Sequence, residues 1–442
     1  MKIKRLINNL SNKSYSNALY SNFFGYGLNF FIQVFAFPFY INEYGLSGFG
    51  FINIILSIAN FGTIGISWSS SLLLRSFGLS IENKDKETFK ESYYLSKVIF
   101  LLYGIILVLF AFIYSIIIDN NFIANTSGSS AFDAKFSIII YSFSFLFLYA
   151  SNKDRLLLTS NKMQSYVNII TGLTPVFTFL IWFFLNRFNN NISSLALSNL
   201  ITNIFFYFYC RKIIIRKKLI CRINYFKRFL TSPLPEKSFF FKFKDIGIGY
   251  FFNGISLIVL QSDILLVGIL GGTKEVTLYV IAWKIPFIIY NFISKFPESS
   301  APYIISYDAK NNITKIKKFS RNLFKITSFI SISAFSSYMI FGKFIIDNWI
   351  NNKEVEITLL AIISSSIAAL FLSIIRLPNV ILSARAKLKF LNNTAILEIV
   401  IRIFISLIFF KYFGISSFFI AIIISHIIWV IPRYLSYKKE WI

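Results

Sequence analysis

The sequence predicts an all-α integral membrane protein of about twelve transmembrane helices, arranged as two six-helix bundles related by a pseudo-two-fold axis along the membrane normal. Three observations predict it. The chain is 56% hydrophobic and only 14% charged, against about 45–50% and about 25% in soluble domains. Its apolar residues fall in blocks, each close to the roughly 20 residues that one span needs. Its two halves resemble each other at a nearly constant offset. Apolar and polar residues do not alternate within the blocks, so helices rather than barrel strands are expected.

The blocks begin near Ala18, Phe49, Tyr93, Ala131, Tyr166, Ile192, Ile246, Val276, Leu323, Ile357, Phe390 and Ile415. The residues before Ala18 are basic and polar, and no cleavage site follows the first block, so that block reads as a retained span. If the N-terminus is cytoplasmic and the helices alternate, cytoplasmic segments collect 34 of the 45 Lys and Arg, and outer segments hold 6: Lys135, Arg187, Lys274, Lys343, Lys353 and Lys411. Such a bias sets the orientation and places both termini in the cytoplasm. The net charge of +26 is then a topology signal with attraction to anionic inner-membrane lipid, and no nucleic-acid partner is expected.

The longest inner loop, Arg211 to Asp245, carries "SPLPEKS" and reads as a basic connector. It divides the chain into residues 1–227 and 228–442, one bundle each, with the connector beginning at about 211. A shift of 227 brings "SIENKDKE" (80–87) onto "YDAKNNIT" (307–314). Further on, a shift of 224 brings "LLLTSNKMQSYVN" (156–168) onto "VILSARAKLKFLN" (380–392). Six helices per half is an even number, so both halves enter the membrane from one side, with a substrate path expected between them.

Polar residues recur at helical spacing within the apolar blocks. Asn22, Asn29 and Gln33 mark the first helix, Ser57 and Asn60 the second, Asn253 the seventh, and Lys284, Asn291 and Lys295 the eighth. They either line a lumen or join helices through hydrogen bonds. Lys284 lies eight residues into its block, about 12 Å deep, which favours a lumen over snorkelling. Glu298 stands three residues past Lys295 and can pair with it. Lys153, Asp154 and Arg155 end the fourth helix, and Arg376 occupies the equivalent depth in the second half. These cations either face a substrate path at the cytoplasmic mouth or only anchor topology. Asp263, deep in the seventh helix, is a candidate to bind a coupling H⁺ or Na⁺; otherwise it neutralises Lys284.

Nothing suggests an enzyme. The single histidine, His426, reads as a packing residue, and the sequence has no P-loop, no G-x-S-x-G and no metal-ligand cluster. No cofactor and no metal are expected. Helix interiors hold Lys97, Lys284, Lys295, Arg376 and Arg402 against Asp263 and Glu398, which favours an anionic cargo.

"QSDILLVGILGGTKEVTLYVIAWKI" (261–285) resembles the seventh-to-eighth helix signature of the polysaccharide branch of the multidrug/oligosaccharidyl-lipid/polysaccharide superfamily, whose members include the Wzx-type flippases. There an Asp precedes an aliphatic run, a Gly turn and a V-G-x-Y-x-x-A segment; Thr277 replaces the Gly here. "EYGLSGFGFINIILSIANFGTIGI" (43–66) looks like its partner in the first half. The resemblance implies a monomeric flippase of the bacterial inner membrane. Its cargo would be undecaprenyl-diphosphate-linked oligosaccharide, moved by alternating access on an ion gradient for O-antigen or capsule assembly, with contact to the polymerase machinery. It implies a cavity lined by the first, second, seventh and eighth helices. A drug antiporter of the same superfamily, or a membrane glycosyltransferase or polymerase, stands as the alternative.

Overall fold

The computed structural model describes residues 13–61, 63–117, 130–188, 191–217, 219, 237–350, 354–385, 387–436 and 438. The side chains of 13–19, 22, 23, 26, 59–61, 63–68, 71, 237–262 and 388 lie outside that description, and Asn22, Asn60 and Asn253 are among them. The described residues form helices and no strands. In order these are α1 (Lys13–Phe61), α2 (Thr63–Glu82), α3 (Lys86–Ile117), α4 (Ala131–Ser160), α5 (Gln164–Asn186), α6 (Ile192–Arg216), α7 (Lys237–Ala309), α8 (Ile313–Ile350), α9 (Leu359–Ala384), α10 (Leu388–Phe413) and α11 (Ser416–Ser425). A π-helical turn (His426–Val430) then leads into α12 (Ile431–Ser436).

At 1.5 Å per residue, α1 with 49 residues and α7 with 73 are too long for one crossing. Each reverses at a glycine. Gly45 and Gly272 take φ of +65° and +82°, a region open to glycine without strain. The reversal brings the rings of Phe37 and Phe49 to 4.8 Å, although twelve residues of straight helix would span about 18 Å. Across the second turn Tyr279 Oη lies 3.4 Å from Asp263. With α1 and α7 each counted as two arms, α2 continuing the second arm of α1, and α11 to α12 as one pass, the described residues make twelve crossings. Among the described residues nine helical segments are long and apolar enough to cross a membrane. The other three crossings are the two arms of α1 with α2, and the first arm of α7.

The backbone repeats at the offsets expected from the sequence. Gly45 and Gly272 are 227 apart, as are the left-handed turn residues Lys84 and Asn311. Helices α4 and α9 end 224 residues apart, and so do the starts of α5 and α10. Near a two-fold axis a residue meets its own equivalent, and this occurs twice. A Cβ on Gly50 would lie 3.0 Å from Thr277 Oγ1, and one on Gly78 would lie 3.1 Å from Ile305 Cγ2; both pairs are 227 apart. The pseudo-two-fold axis therefore runs between the second arm of α7 on one side and the second arm of α1 with α2 on the other.

Two apolar clusters lie wholly within the N-terminal bundle, whereas those of the C-terminal bundle take in Phe37, Ile41, Leu46 and Phe49 of α1 and Leu72 of α2, where α7 packs on α1 and α2. The outer faces stay apolar, as on α3, where Ile106, Leu109, Ile113 and Ile116 are exposed. In lipid such a face needs no cover. At the end of the molecule that carries the basic loops, Glu82 accepts from Lys162 at 3.0 Å, Lys310 at 3.2 Å and Ser306 at 2.7 Å. Asp308 takes Arg75 at 3.3 Å and Arg385 at 3.4 Å.

Two tests follow from this packing. A Cβ on Gly25 would sit 2.2 Å from the Asn168 carbonyl oxygen, and one on Gly172 would sit 2.1 Å from the Gly25 carbonyl oxygen. Gly25→Ala and Gly172→Ala should each cost about 1–3 kcal/mol by overpacking, read as a lower melting temperature in detergent. Gly27→Ala, with nothing within 4 Å, should be neutral; equal melting of all three would contradict the packing. The second test uses pH. Partial burial pushes the Glu82 carboxyl up, but the hydrogen bonds from Ser306, Lys162 and Lys310 prevail and hold it at about 2 instead of 4.5. A depressed folded value stabilises above the unfolded value and is lost as pH falls through the folded one. The melting difference between wild type and Glu82→Gln should therefore be constant from pH 5 to 8 and shrink between pH 4.5 and 2.

Candidate substrate cavity

A cavity of about 460 Å³ opens inside the N-terminal bundle. The first arm of α1 lines it with Asn29, Ile32, Gln33, Ala36, Phe37 and Tyr40, and the second with Phe49, Asn53 and Leu56. Positions 29, 33, 36 and 40 fall on one helical face because 3.6 residues make a turn. Helix α5 adds Thr171, Thr174, Pro175 and Thr178, α6 adds Leu195 and Asn199, and α4 adds Leu148 and Arg155. Lys284 reaches in from the second arm of α7.

The polar lining is prepared by local bonds. Gln33 donates to Asn29. Asn53 and Asn199 donate to the carbonyls of Phe49 at 2.7 Å and Leu195 at 3.0 Å, and Thr171 and Thr174 donate one turn back at 2.8 Å each. These bonds satisfy side-chain donors on the helix itself. Two cations complete the wall. Lys284 Nζ stands over the Phe37 ring at 5.0 Å, an attraction that holds an ammonium without neutralising it. Arg155 keeps a buried Nε with no hydrogen-bond partner. Among the described residues no carboxylate lies within ion-pair distance of either, and no carboxylate lines the cavity. The chemistry is that of an anion site with polar acceptors and aromatic faces beside it.

The other expected residues divide as follows. Lys153 does not reach the cavity. It is buried in the N-terminal bundle, 3.5 Å from Asp154, donating to the Ala150 carbonyl at 2.7 Å and lying over the Tyr207 ring. Arg211 and Tyr93 close the same network on Asp154. Successive helical residues turn by about 100°, so Lys153 and Asp154 point into the bundle while Arg155 points to the cavity. Lys295 pairs with Glu298 as expected, and Arg376 joins the same carboxylate at 2.5 Å. That triad, like Asn291 and the buried Ser57, lies outside the cavity wall. Among the described residues the lining comes from α1, α4, α5, α6 and α7, not from the first, second, seventh and eighth crossings alone.

Asp263 requires a correction. Its partner is Arg402, at 2.8 Å, with Glu398 3.7 Å from the same guanidinium. Lys284 does not neutralise it, because Asp263 is turned toward α10 within the C-terminal bundle while Lys284 is turned toward Phe37. His426 is buried there too, against the Ile422 carbonyl at 2.9 Å and stacked on Phe371. Thr171, Thr174 and Thr178 join the wall at the same stripe spacing that marks the first helix. Among the described residues no group of His, Cys, Asp and Glu could hold a metal.

No family model matches the chain, and no curated protein matches it. Solved structures do. A MOP superfamily transporter from Pyrococcus furiosus aligns with a TM-score of 0.75 and 13% identity, over 98% of this chain and 97% of that one; it is described as having a binding pocket of reversed polarity that suggests a different function. An outward-facing multidrug resistance MATE transporter aligns with a TM-score of 0.74 and 12% identity, over 98% and 97%. The Vibrio cholerae MATE transporter VcmN aligns with a TM-score of 0.71 and 14% identity, over 98% of each chain. The chain has the fold of the MATE transporters of the MOP superfamily.

Proposed function

We propose that the protein is a flippase for undecaprenyl-diphosphate-linked oligosaccharide, working by alternating access in the bacterial inner membrane with both termini in the cytoplasm, for O-antigen or capsule assembly. One observation carries the reading: among the described residues the cavity wall holds Lys284 and Arg155 and no carboxylate. A diphosphate cannot cross hydrocarbon unaided, because burying unpaired charge costs far more than any span can supply. An ammonium and a guanidinium offset that cost, and Arg adds bidentate geometry. Asn29, Gln33, Asn53 and Asn199 supply amide groups for sugar hydroxyls, and the lipid tail stays in the bilayer. A drug antiporter for cations needs acids in the wall. Its place is taken here by two cations, which disfavours that alternative.

The gradient enters through H⁺ or Na⁺, and Asp263 is the coupling group. A carboxylate buried in a membrane bundle is a functional site by default. Arg402 holds it until the ion exchanges.

In proteoliposomes, flipping of a lipid-diphosphate glycan should fall about 10- to 100-fold in Arg155→Gln and in Lys284→Gln, the size expected for a lost charged hydrogen bond. Lys284→Arg should retain most activity, and Lys295→Ala should lose less than Lys284→Ala because Glu298 already holds Lys295. Unchanged flipping in the Arg155→Gln/Lys284→Gln double variant, or uptake of tetraphenylphosphonium in its place, would overturn the reading. For Asp263, a double-mutant cycle in melting should give coupling to Arg402, since breaking a buried pair costs about 3–5 kcal/mol, and none to Lys284. Asp263→Asn should bind cargo yet no longer respond to the gradient; a normal gradient response would remove Asp263 from coupling.

A further inference from the structure

The two halves touch at both ends of the molecule, but with different chemistry. At the end away from the basic loops the contacts among the described residues are neutral. Thr277 Oγ1 donates to the Leu46 carbonyl at 2.6 Å, and Trp349 Nε1 donates to the Val34 carbonyl at 2.6 Å. At the basic end they are ionic and repeat about the pseudo-two-fold axis. Glu82 and Asp308 stand at nearly equivalent positions, since 82 shifted by 227 is 309. Each carboxylate takes one base from its own half, Lys162 at 3.0 Å or Arg385 at 3.4 Å, and one from the other half, Lys310 at 3.2 Å or Arg75 at 3.3 Å. The two own-half bases are themselves near-equivalents, since 162 shifted by 224 is 386. Arg75 also reaches the Ala384 carbonyl, and Ser306 reaches Glu82 at 2.7 Å, both across the halves.

We propose that Glu82 and Asp308 form a two-fold ionic clamp that holds the basic end shut and must release for the cavity to open there. The arrangement suits reversible closure. Both carboxylates are about one-fifth exposed and Lys310 is 64% exposed, so water can solvate the charges as they part. Each carboxylate keeps its own-half base on release, so none is stranded. Partly exposed pairs are individually weak, and two acting together set a latch that a modest bias can shift. The neutral contacts at the far end have no such property. If basic loops face the cytoplasm, the clamp governs access from that side.

The test is the rate at which a cavity cysteine reacts with a membrane-impermeant maleimide. Thr174→Cys is placed in a Cys221→Ser background, and labelling is read in vesicles exposing the basic face, against the same background without the reporter. The Arg75→Gln/Lys310→Gln variant should label roughly three- to tenfold faster from that face. Lys310→Gln alone, at an exposed site that spares folding, should move the rate the same way by less. Glu82→Lys should accelerate labelling, and adding Lys310→Glu should return it toward the starting rate, which a merely structural loss would not do. Wild-type rates in Arg75→Gln/Lys310→Gln, an equal rise from the opposite face, or no recovery in the reversed pair would overturn the clamp. The readout needs no cargo, so its failure is separate from any failure of the flippase reading.

Discussion

A charge inside a bilayer must be paired or wetted, and the interior of this protein is organised by that constraint. Asp154 holds Lys153 and Arg211, Glu298 holds Lys295 and Arg376, and Asp263 holds Arg402. These networks lie inside the bundles and tie helices distant in sequence. Removing one partner would leave its mate stranded at low dielectric, so they fix helix orientation as well as adding attraction. Lys284 and Arg155 differ: they face the cavity. The three adjacent charges at 153–155 thus serve two purposes, the first two in the bundle core and the third in the cavity wall.

The internal repeat supplies the frame, and the departures from it supply the function. Turns, helix ends and axis contacts recur at 227 or 224 residues. The charged groups mostly do not. Lys284 corresponds to Ser57, Arg155 to Asn379, and Asp263 to Ala36. Ala36 lines the cavity, whereas its counterpart Asp263 is turned inward to Arg402. Both bundles bury acids, Asp133 and Asp154 in the first and Asp263 in the second, while the cations facing the cavity are Arg155 and Lys284. At the basic end Glu82 and Asp308, with their own-half bases Lys162 and Arg385, keep the symmetry to within one residue.

The crossings and their repeat were legible in the sequence because apolar length and offset are one-dimensional signals. Gly45 and Gly272 were hidden only as turn geometry; their offset was already present. The pairing of Lys295 with Glu298 was legible because three residues on a helix are neighbours. Partners across bundles were not. Arg402 is 139 residues from Asp263, and nothing local distinguishes it from Lys284, one crossing away. The share of α5 and α6 in the cavity is not legible because polar stripes in apolar helices read equally as packing, whereas Arg155 of α4 is an expected cation that the wall does contain. The identity of the cargo rests on charge balance in the wall, a property visible only once these helices are assembled.

The most direct measurement of the central claim is native mass spectrometry of the purified protein with an isoprenyl-diphosphate sugar and with tetraphenylphosphonium in competition. The account predicts retention of the diphosphate lipid, loss of it in Arg155→Gln/Lys284→Gln, and no retention of the cation. Retention of the cation over the diphosphate, or diphosphate binding indifferent to both substitutions, would contradict it.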